Sequence, residues 1–234
     1  MTSSNPIYAL VITAHPDDES FVFAGTTLKF EEEGKTVAMI CATRGEKGAD
    51  RLNRKLDFGQ MAKIRTRELL EACNILRCDC KKIMNHHDGE LDHTDFTQLV
   101  DELVEEINSY QPQIILTFGK EGITGHRDHV AIGKAAIAAA KKARPKPSEI
   151  WLASIPASQI DNFNEYSEKR KIHHLHFMKS KLRGVSDEKL IIVDVKKYNG
   201  IKLKAIKSHQ SQFSPQLIWP GFLESEWFEV LTVG

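Results

Sequence analysis

Two short runs carry the residues that could do chemistry: Ala14-His15-Pro16-Asp17-Asp18-Glu19 near the start and Gly125-His126-Arg127-Asp128-His129 past the middle. One imidazole beside two adjacent carboxylates can hold a metal and a base side by side. Pro16 suits the first position of a helix, where its missing N–H has no partner to lose. Asp17 and Asp18 then fall in the first turn, where the helix dipole favours negative charge. His15 and Asp18, three apart, can point the same way, and Asp17 must point elsewhere. This spacing predicts His15 and Asp18 as metal ligands with Asp17 as general base. Catalytic zinc usually takes three protein ligands plus water, and His129 can be the third. Such a set leaves the ion a Lewis acid able to lower the pKa of bound water to about 7, with Asp17 placed to take the proton. His126 is then left unligated near the metal, where in its protonated form it can stabilise an oxyanion or give its proton to a leaving amine. Asp128 is a candidate to orient one of the imidazoles. The same donors also accept Fe²⁺, Co²⁺ or Mn²⁺. Alone, Asp17-Asp18 reads as an ordinary helix start and each histidine as a surface residue. Together, at two strand ends, they point to a metal-dependent hydrolase.

The elements that must position these runs follow from hydrophobic patterning. Ile7–Thr13, Thr36–Ala42 and Gln113–Phe118 read as apolar buried strands, Lys81–Met84 as a short strand, and Ile150–Ser154, Ile172–His176 and Leu190–Val195 as later ones. Between them, residues 19–33 read as a helix closed by Gly34. Further helices are expected over Phe58–Leu76, Phe96–Ser109, Asp128–Lys142 and Tyr198–Gln210. Strands alternating with helices predict an α/β fold, a Rossmann-like three-layer sandwich with a mostly parallel sheet. In such sheets ligands bind outside the carboxyl ends of the strands. His15–Asp18, Arg44-Gly45-Glu46, Asp88 and His126–His129 follow the first four strands in turn, so all four clusters are expected at one edge. The polar stretch 44–57 reads as a long loop, a type that is often functional.

Bulk properties narrow the class. The 234 residues read as one large domain, 1–234. Lysine plus arginine (32) equals aspartate plus glutamate (32), so there is no basic excess to indicate nucleic-acid binding. No apolar run reaches the roughly 18 residues that a membrane span needs, and the opening residues do not form a signal peptide. Cys41, Cys73, Cys78 and Cys80 contain no C-x-x-C pair and read as free thiols of a reducing compartment, which makes the expected location cytoplasmic. No G-x-G-x-x-G follows the first strand, where a phosphate would in any case meet Asp17 and Asp18, so a nucleotide-binding reading fails.

At Ala14–Glu19 and Gly125–His129 the chain resembles the PIG-L/LmbE family of N-acetylglucosamine-type deacetylases, whose signatures A-H-P-D-D-E and G-H-x-D-H are both present. Thr43-Arg44-Gly45-Glu46, Arg65-Thr66-Arg67-Glu68, Asp88-Gly89 and the late run Lys204 to Gln212 match weaker family features, so the likeness spans roughly residues 7–213. The resemblance implies a zinc-dependent hydrolase of a small-molecule amino sugar, releasing acetate and a free amine. It implies His15, Asp18 and His129 as metal ligands, Asp17 as base, His126 as the oxyanion-stabilising group and Asp128 as the orienting carboxylate. It suggests Arg65, Asp88, Glu46 and His209 as substrate contacts, with His209 closing over the site. A homo-oligomer is consistent with the family. Two rivals remain at this point, an amidase acting on a larger acyl group of a thiol–sugar conjugate and a non-catalytic metal- or sugar-binding module. His173, His174 and His176 read as part of a half-exposed strand, and Trp151, Trp219, Phe222 and Trp227 as packing residues.

Overall fold

The computed structural model describes residues 6–170 and 182–233. Seven strands form one sheet: β1 (Ile7–Thr13), β2 (Thr36–Thr43), β3 (Asp79–His86), β4 (Ile114–Phe118), β5 (Glu149–Ala153), β6 (Leu190–Asp194) and β7 (Ser225–Thr232). Their order across the sheet is β3-β2-β1-β4-β5-β7-β6. The β3-β2-β1-β4-β5 half is parallel, and β7 pairs antiparallel with both β5 and β6. The parallel strands β1, β2 and β4 are apolar and buried almost throughout, as expected of strands covered on both faces.

The helices are α1 (Ala24–Glu32), α2 (Phe58–Leu76), α3 (Phe96–Tyr110), the single turn α4 (Gly122–Gly125), α5 (Arg127–Lys142), α6 (Ile160–Lys169), α7 (Asn199–Ser208) and the short α8 (Pro220–Glu224). The chain runs from β1 outward to β3, then returns past β1 to β4 and β5. Right-handed crossovers therefore put α1 and α2 on one face and α3 and α5 on the other. α7 packs with α1 and α2, and α3 with α5. The order reverses between β1 and β4, which is where a doubly wound sheet opens a crevice for ligands. The two chemistry-bearing runs follow those two neighbouring strands.

Local sequence sets the helix ends. Asp57 and Gln60 form a reciprocal capping box at the start of α2. Asp95 caps α3, and Gly34, at φ +75°, turns the chain after α1. The helix expected over residues 19–33 differs at its beginning, where Glu19–Phe23 forms a π-helical turn, a feature that often sits at functional sites. β7 and α6 are additions to the elements expected from sequence. The strand reading over residues 172–176, with His173, His174 and His176, lies outside the described residues. Trp219, Phe222 and Trp227 are buried in the core, with Trp219 in ring contact with both of the others. Lys202 of α7 is fully buried against Glu226 of β7, whose carboxylate also accepts the Gly25 and Thr26 N–H groups of α1. No helix among the described residues is long and apolar enough to cross a membrane.

Candidate functional site

The crevice between the ends of β1 and β4 brings His15, Asp18 and His129 together. Asp18 is fixed first: its Oδ2 accepts the backbone N–H groups of Ala14 (3.1 Å) and His15 (2.8 Å). Its Oδ1 lies 3.1 Å from His129 Nε2. His129, in the first turn of α5, places Nδ1 3.0 Å from the Gly122 carbonyl and stacks on Phe118 at 4.1 Å between centroids and 6° between planes. His15 Nε2 lies 3.0 Å from Asp128 Oδ2 and 3.1 Å from Asp88 Oδ1.

These contacts decide what the cluster can bind. A carbonyl and two carboxylates accept hydrogen bonds and cannot donate them, so His129 carries its proton on Nδ1 and His15 carries one on Nε2. The lone pairs then sit on His15 Nδ1 and His129 Nε2, which face one another at 3.2 Å. Two lone pairs and a carboxylate oxygen cannot satisfy each other, but a cation among them satisfies all three. The donor set fits a divalent metal of the zinc type, with the remaining ring nitrogens held as metal-bound histidines are held. The electrostatics agree. Burial works to lower the His15 pKa, yet Asp128, Asp88 and Asp18 overcome it and push it up to about 10, so the metal-free cluster draws in a proton. Burial likewise works to raise Asp18, and His129 and His15 hold its carboxyl well below the usual range.

Two overlapping groups keep ligand atoms within 4.8 Å of one another: His15, His126 and His129, and His15, Asp88 and Asp128. The second group has prior commitments. Asp128 accepts from the Gly89 and Leu91 N–H groups at 2.7 and 3.1 Å, and Asp88 accepts from the Lys47 N–H. Both carboxylates therefore act on the far nitrogen of His15. Despite burial, His15 keeps Asp88 down at about 2 and Asp128 below its ordinary value.

His126 caps α5, its Nδ1 accepting the Asp128 N–H at 3.2 Å, which puts the ring proton on Nε2. Burial first, then His129 and His15, lower its pKa to about 4. It is therefore a neutral N–H donor at pH 7, which corrects the expectation of a charged group there. Asp17 is the strained member. Its backbone stands at φ +121°, which costs a non-glycine residue on the order of 1–3 kcal/mol. Its N–H donates to Glu19 Oε2 at 3.0 Å, and its Oδ2 lies 3.2 Å from Arg65 Nη2. Burial raises the Asp17 pKa to about 6, opposed by Arg65 and reinforced by Asp18.

The remaining candidates divide. Arg65, 4% exposed, donates to the Pro16 and Gly45 carbonyls, so it braces Asp17 and the loop after β2. Arg65 and Asp88 do line the cavity over the cluster, which has a volume of about 460 Å³. Glu46 does not line that cavity: it accepts the Asp88 N–H at 2.9 Å and borders an adjacent hollow of about 310 Å³. His209 is corrected more sharply. It is fully buried behind Glu19, 2.7 Å from Glu19 Oε1, and does not line the cavity. Sequence reasoning missed the apolar side of the cavity, formed by Phe21, Val22, Ile123, Phe163, Leu217 and Phe222. Ile123, a β-branched residue at φ +64° between two positive-φ glycines, is a second strained position there. Its flanking glycines are the signal that marks this turn.

A family model described as PIG-L, GlcNAc-PI de-N-acetylase, matches residues 10–140. A probable N-acetyl-alpha-D-glucosaminyl L-malate deacetylase 2 of Bacillus anthracis is 27% identical over 217 residues, covering 91% of this chain and 84% of the relative. A 1D-myo-inositol 2-acetamido-2-deoxy-alpha-D-glucopyranoside deacetylase 1 of Saccharopolyspora erythraea is 25% identical, covering 91% of this chain and 80% of the relative. Among solved structures, the N,N'-diacetylchitobiose deacetylase of Pyrococcus horikoshii superposes with a TM-score of 0.69 at 22% identity, covering 97% of this chain and 85% of that one. At that identity the superposition speaks for the fold.

Proposed function

The chain belongs to the PIG-L family, and from that premise we propose that it is a metal-dependent N-deacetylase that hydrolyses the acetamide of an N-acetylglucosamine-type sugar to the free amine and acetate. The observation that carries this reading is the facing pair of lone pairs on His15 and His129, closed by Asp18, with Asp17 on the same cavity.

In this reading His15, Asp18 and His129 hold the metal, with zinc the first choice for a His-Asp-His set. The metal supplies Lewis-acid polarisation of the amide carbonyl and a more acidic water. The chain's own residues do the rest. Asp17 accepts the proton of the attacking water at its carboxylate and returns it to the amide nitrogen as the C–N bond breaks. His126 donates its Nε2–H to the carbonyl oxygen as negative charge develops there, a role that suits a neutral imidazole. Arg65 keeps Asp17 aimed, and Asp128 with Asp88 fixes the tautomer and orientation of His15. The four unpaired cysteines fit a reducing compartment, and we place the protein in the cytoplasm.

The apolar wall supports a second reading, an amidase that removes a bulkier acyl group. Parallel assays of the metal-loaded protein on N-acetyl and N-octanoyl glucosamine glycosides separate the two. Preferential release of acetate supports the deacetylase, and preferential cleavage of the octanoyl substrate assigns the amidase. A pure binding module predicts neither product, and it gives no reason to hold Asp17 in a strained backbone beside the metal-capable cluster.

A further inference from the structure

We propose that His209 and Glu19 form a positioning pair that holds the general base Asp17 in its strained backbone conformation; this rests on Asp17 being the base of the proposed reaction. Asp17 has two anchors. Arg65 holds its carboxylate at 3.2 Å, and Glu19 Oε2 holds its backbone N–H at 3.0 Å. The second anchor matters because φ +121° is not a conformation an aspartate keeps unaided.

Glu19 is itself held. Its Oε1 receives the Ser20 hydroxyl at 2.5 Å and lies 2.7 Å from His209 Nε2. Glu19 is 2% exposed and His209 fully buried, so both ends of this contact are shielded from water. His209 arrives from just beyond α7, 190 residues away in sequence. The segment that delivers it is fixed by Ser211, whose N–H and hydroxyl both donate to the buried carboxylate of Glu68 on α2.

The His209 ring has a further mark of purpose. Its Nδ1 has no hydrogen-bond partner among the described residues. An apolar side chain would fill the space without leaving a buried nitrogen unpaired. The directed contacts of the ring are all made by Nε2, to Glu19 and to Ser20 at 3.3 Å. The late histidine thus acts on the reaction through Glu19 and the Asp17 peptide, without touching substrate.

The test compares His209→Leu, which fills the space without a donor, His209→Gln, which keeps an N–H for Glu19, and the near-isosteric Glu19→Gln, which has one acceptor oxygen where the Asp17 N–H, the Ser20 hydroxyl and His209 Nε2 need accepting. Three quantities are read: kcat and KM for acetate release from N,N'-diacetylchitobiose, bound metal per chain, and hydrogen exchange of the Asp17 amide. His209→Leu and Glu19→Gln are expected to lose kcat by on the order of tenfold to a hundredfold, the cost of a small misplacement of a reacting group. KM and metal content stay at wild-type levels, Asp17 amide exchange accelerates by about tenfold or more while amides of β1 keep their protection, and His209→Gln recovers most of the loss. Wild-type kcat in His209→Leu, unchanged Asp17 exchange, or a kcat loss that tracks lost metal overturns the proposal. If His209→Leu fails to fold, Glu19→Gln carries the same three readouts. A wild-type protein inactive on the probe retires the deacetylase reading, and the exchange measurement still decides whether this pair holds Asp17.

Discussion

His15 Nδ1 and His129 Nε2 face each other at 3.2 Å although 114 residues separate them, because β1 and β4 are neighbours, His15 follows the end of β1, and His129 lies in the first turn of α5 with its ring stacked back on Phe118 at the end of β4. Each ring spends its other nitrogen on an acceptor, Asp128 and Asp88 for His15 and the Gly122 carbonyl for His129. The two lone pairs are left facing each other because those outer acceptors hold the protons of both rings on the far nitrogens.

Asp18→Asn tests that balance. The asparagine keeps an oxygen for the Ala14 and His15 N–H groups and can turn an N–H toward His129 Nε2, which occupies one lone pair, removes the carboxylate charge and leaves only His15 Nδ1 free to take a cation. Wild-type protein should be stabilised by about 2.7 kcal/mol at free metal about 100 times Kd, and chelation should remove that gain. Asp18→Asn should melt at the same temperature with and without metal. Thermal scans with zinc and with EDTA check both.

Asp17→Asn removes the base and leaves the ligands. Turnover should fall by about 100- to 10,000-fold with bound metal per chain unchanged. Normal turnover in a metal-replete variant removes Asp17 from the mechanism.

Asp128→Asn leaves one carbonyl oxygen to serve three donors: the Gly89 and Leu91 N–H groups and His15 Nε2. Metal affinity should drop by about 10- to 100-fold, and stability by about 1–3 kcal/mol. Competition with a fluorescent chelator and urea unfolding measure the two losses separately.

Gly133→Ala reaches the site through packing. A Cβ at Gly133 would stand 2.4 Å from the Phe118 carbonyl oxygen, so α5 must shift on β4. His129 lies in the first turn of that helix and stacks on Phe118. The variant should lose about 1–3 kcal/mol of stability and bind metal more weakly, although it touches no ligand. Wild-type metal affinity in Gly133→Ala would show that α5 can move without carrying His129.

In the parallel half of the sheet β1, β2 and β4 were legible as apolar runs followed by polar clusters, whereas β3, with its sequence Asp79-Cys80-Lys81-Lys82-Ile83-Met84-Asn85-His86, shows only a short apolar centre. That His15, Asp18, His129 and Asp17 would meet on one cavity was legible from two motifs that follow β1 and β4. The antiparallel edge was harder to read. β7 turns Glu226 inward, where the buried Lys202 and the Gly25 and Thr26 N–H groups make it tolerable, so neither Glu226 nor Lys202 reads as core in sequence. α6 buries little beyond Ile160 and Phe163. His209 stands in a recognisable late motif, but its direction depends on how the Glu68–Ser211 clamp sets the chain past α7, which no periodicity encodes. The role of Arg65 was also hidden, because two of its partners are backbone carbonyls, of Pro16 and Gly45, that any residue could supply.

The central claim is that this chain hydrolyses an acetamide with a metal held by His15, Asp18 and His129. The most direct measurement is acetate released per amine formed from N,N'-diacetylchitobiose and N-acetylglucosaminyl malate, by wild-type protein as stripped, reloaded with one zinc per chain, and reloaded as Asp17→Asn. Equal acetate and amine from the reloaded wild type, with neither product from the stripped protein and little from Asp17→Asn, is the predicted result. Equal turnover by stripped and reloaded protein would contradict it.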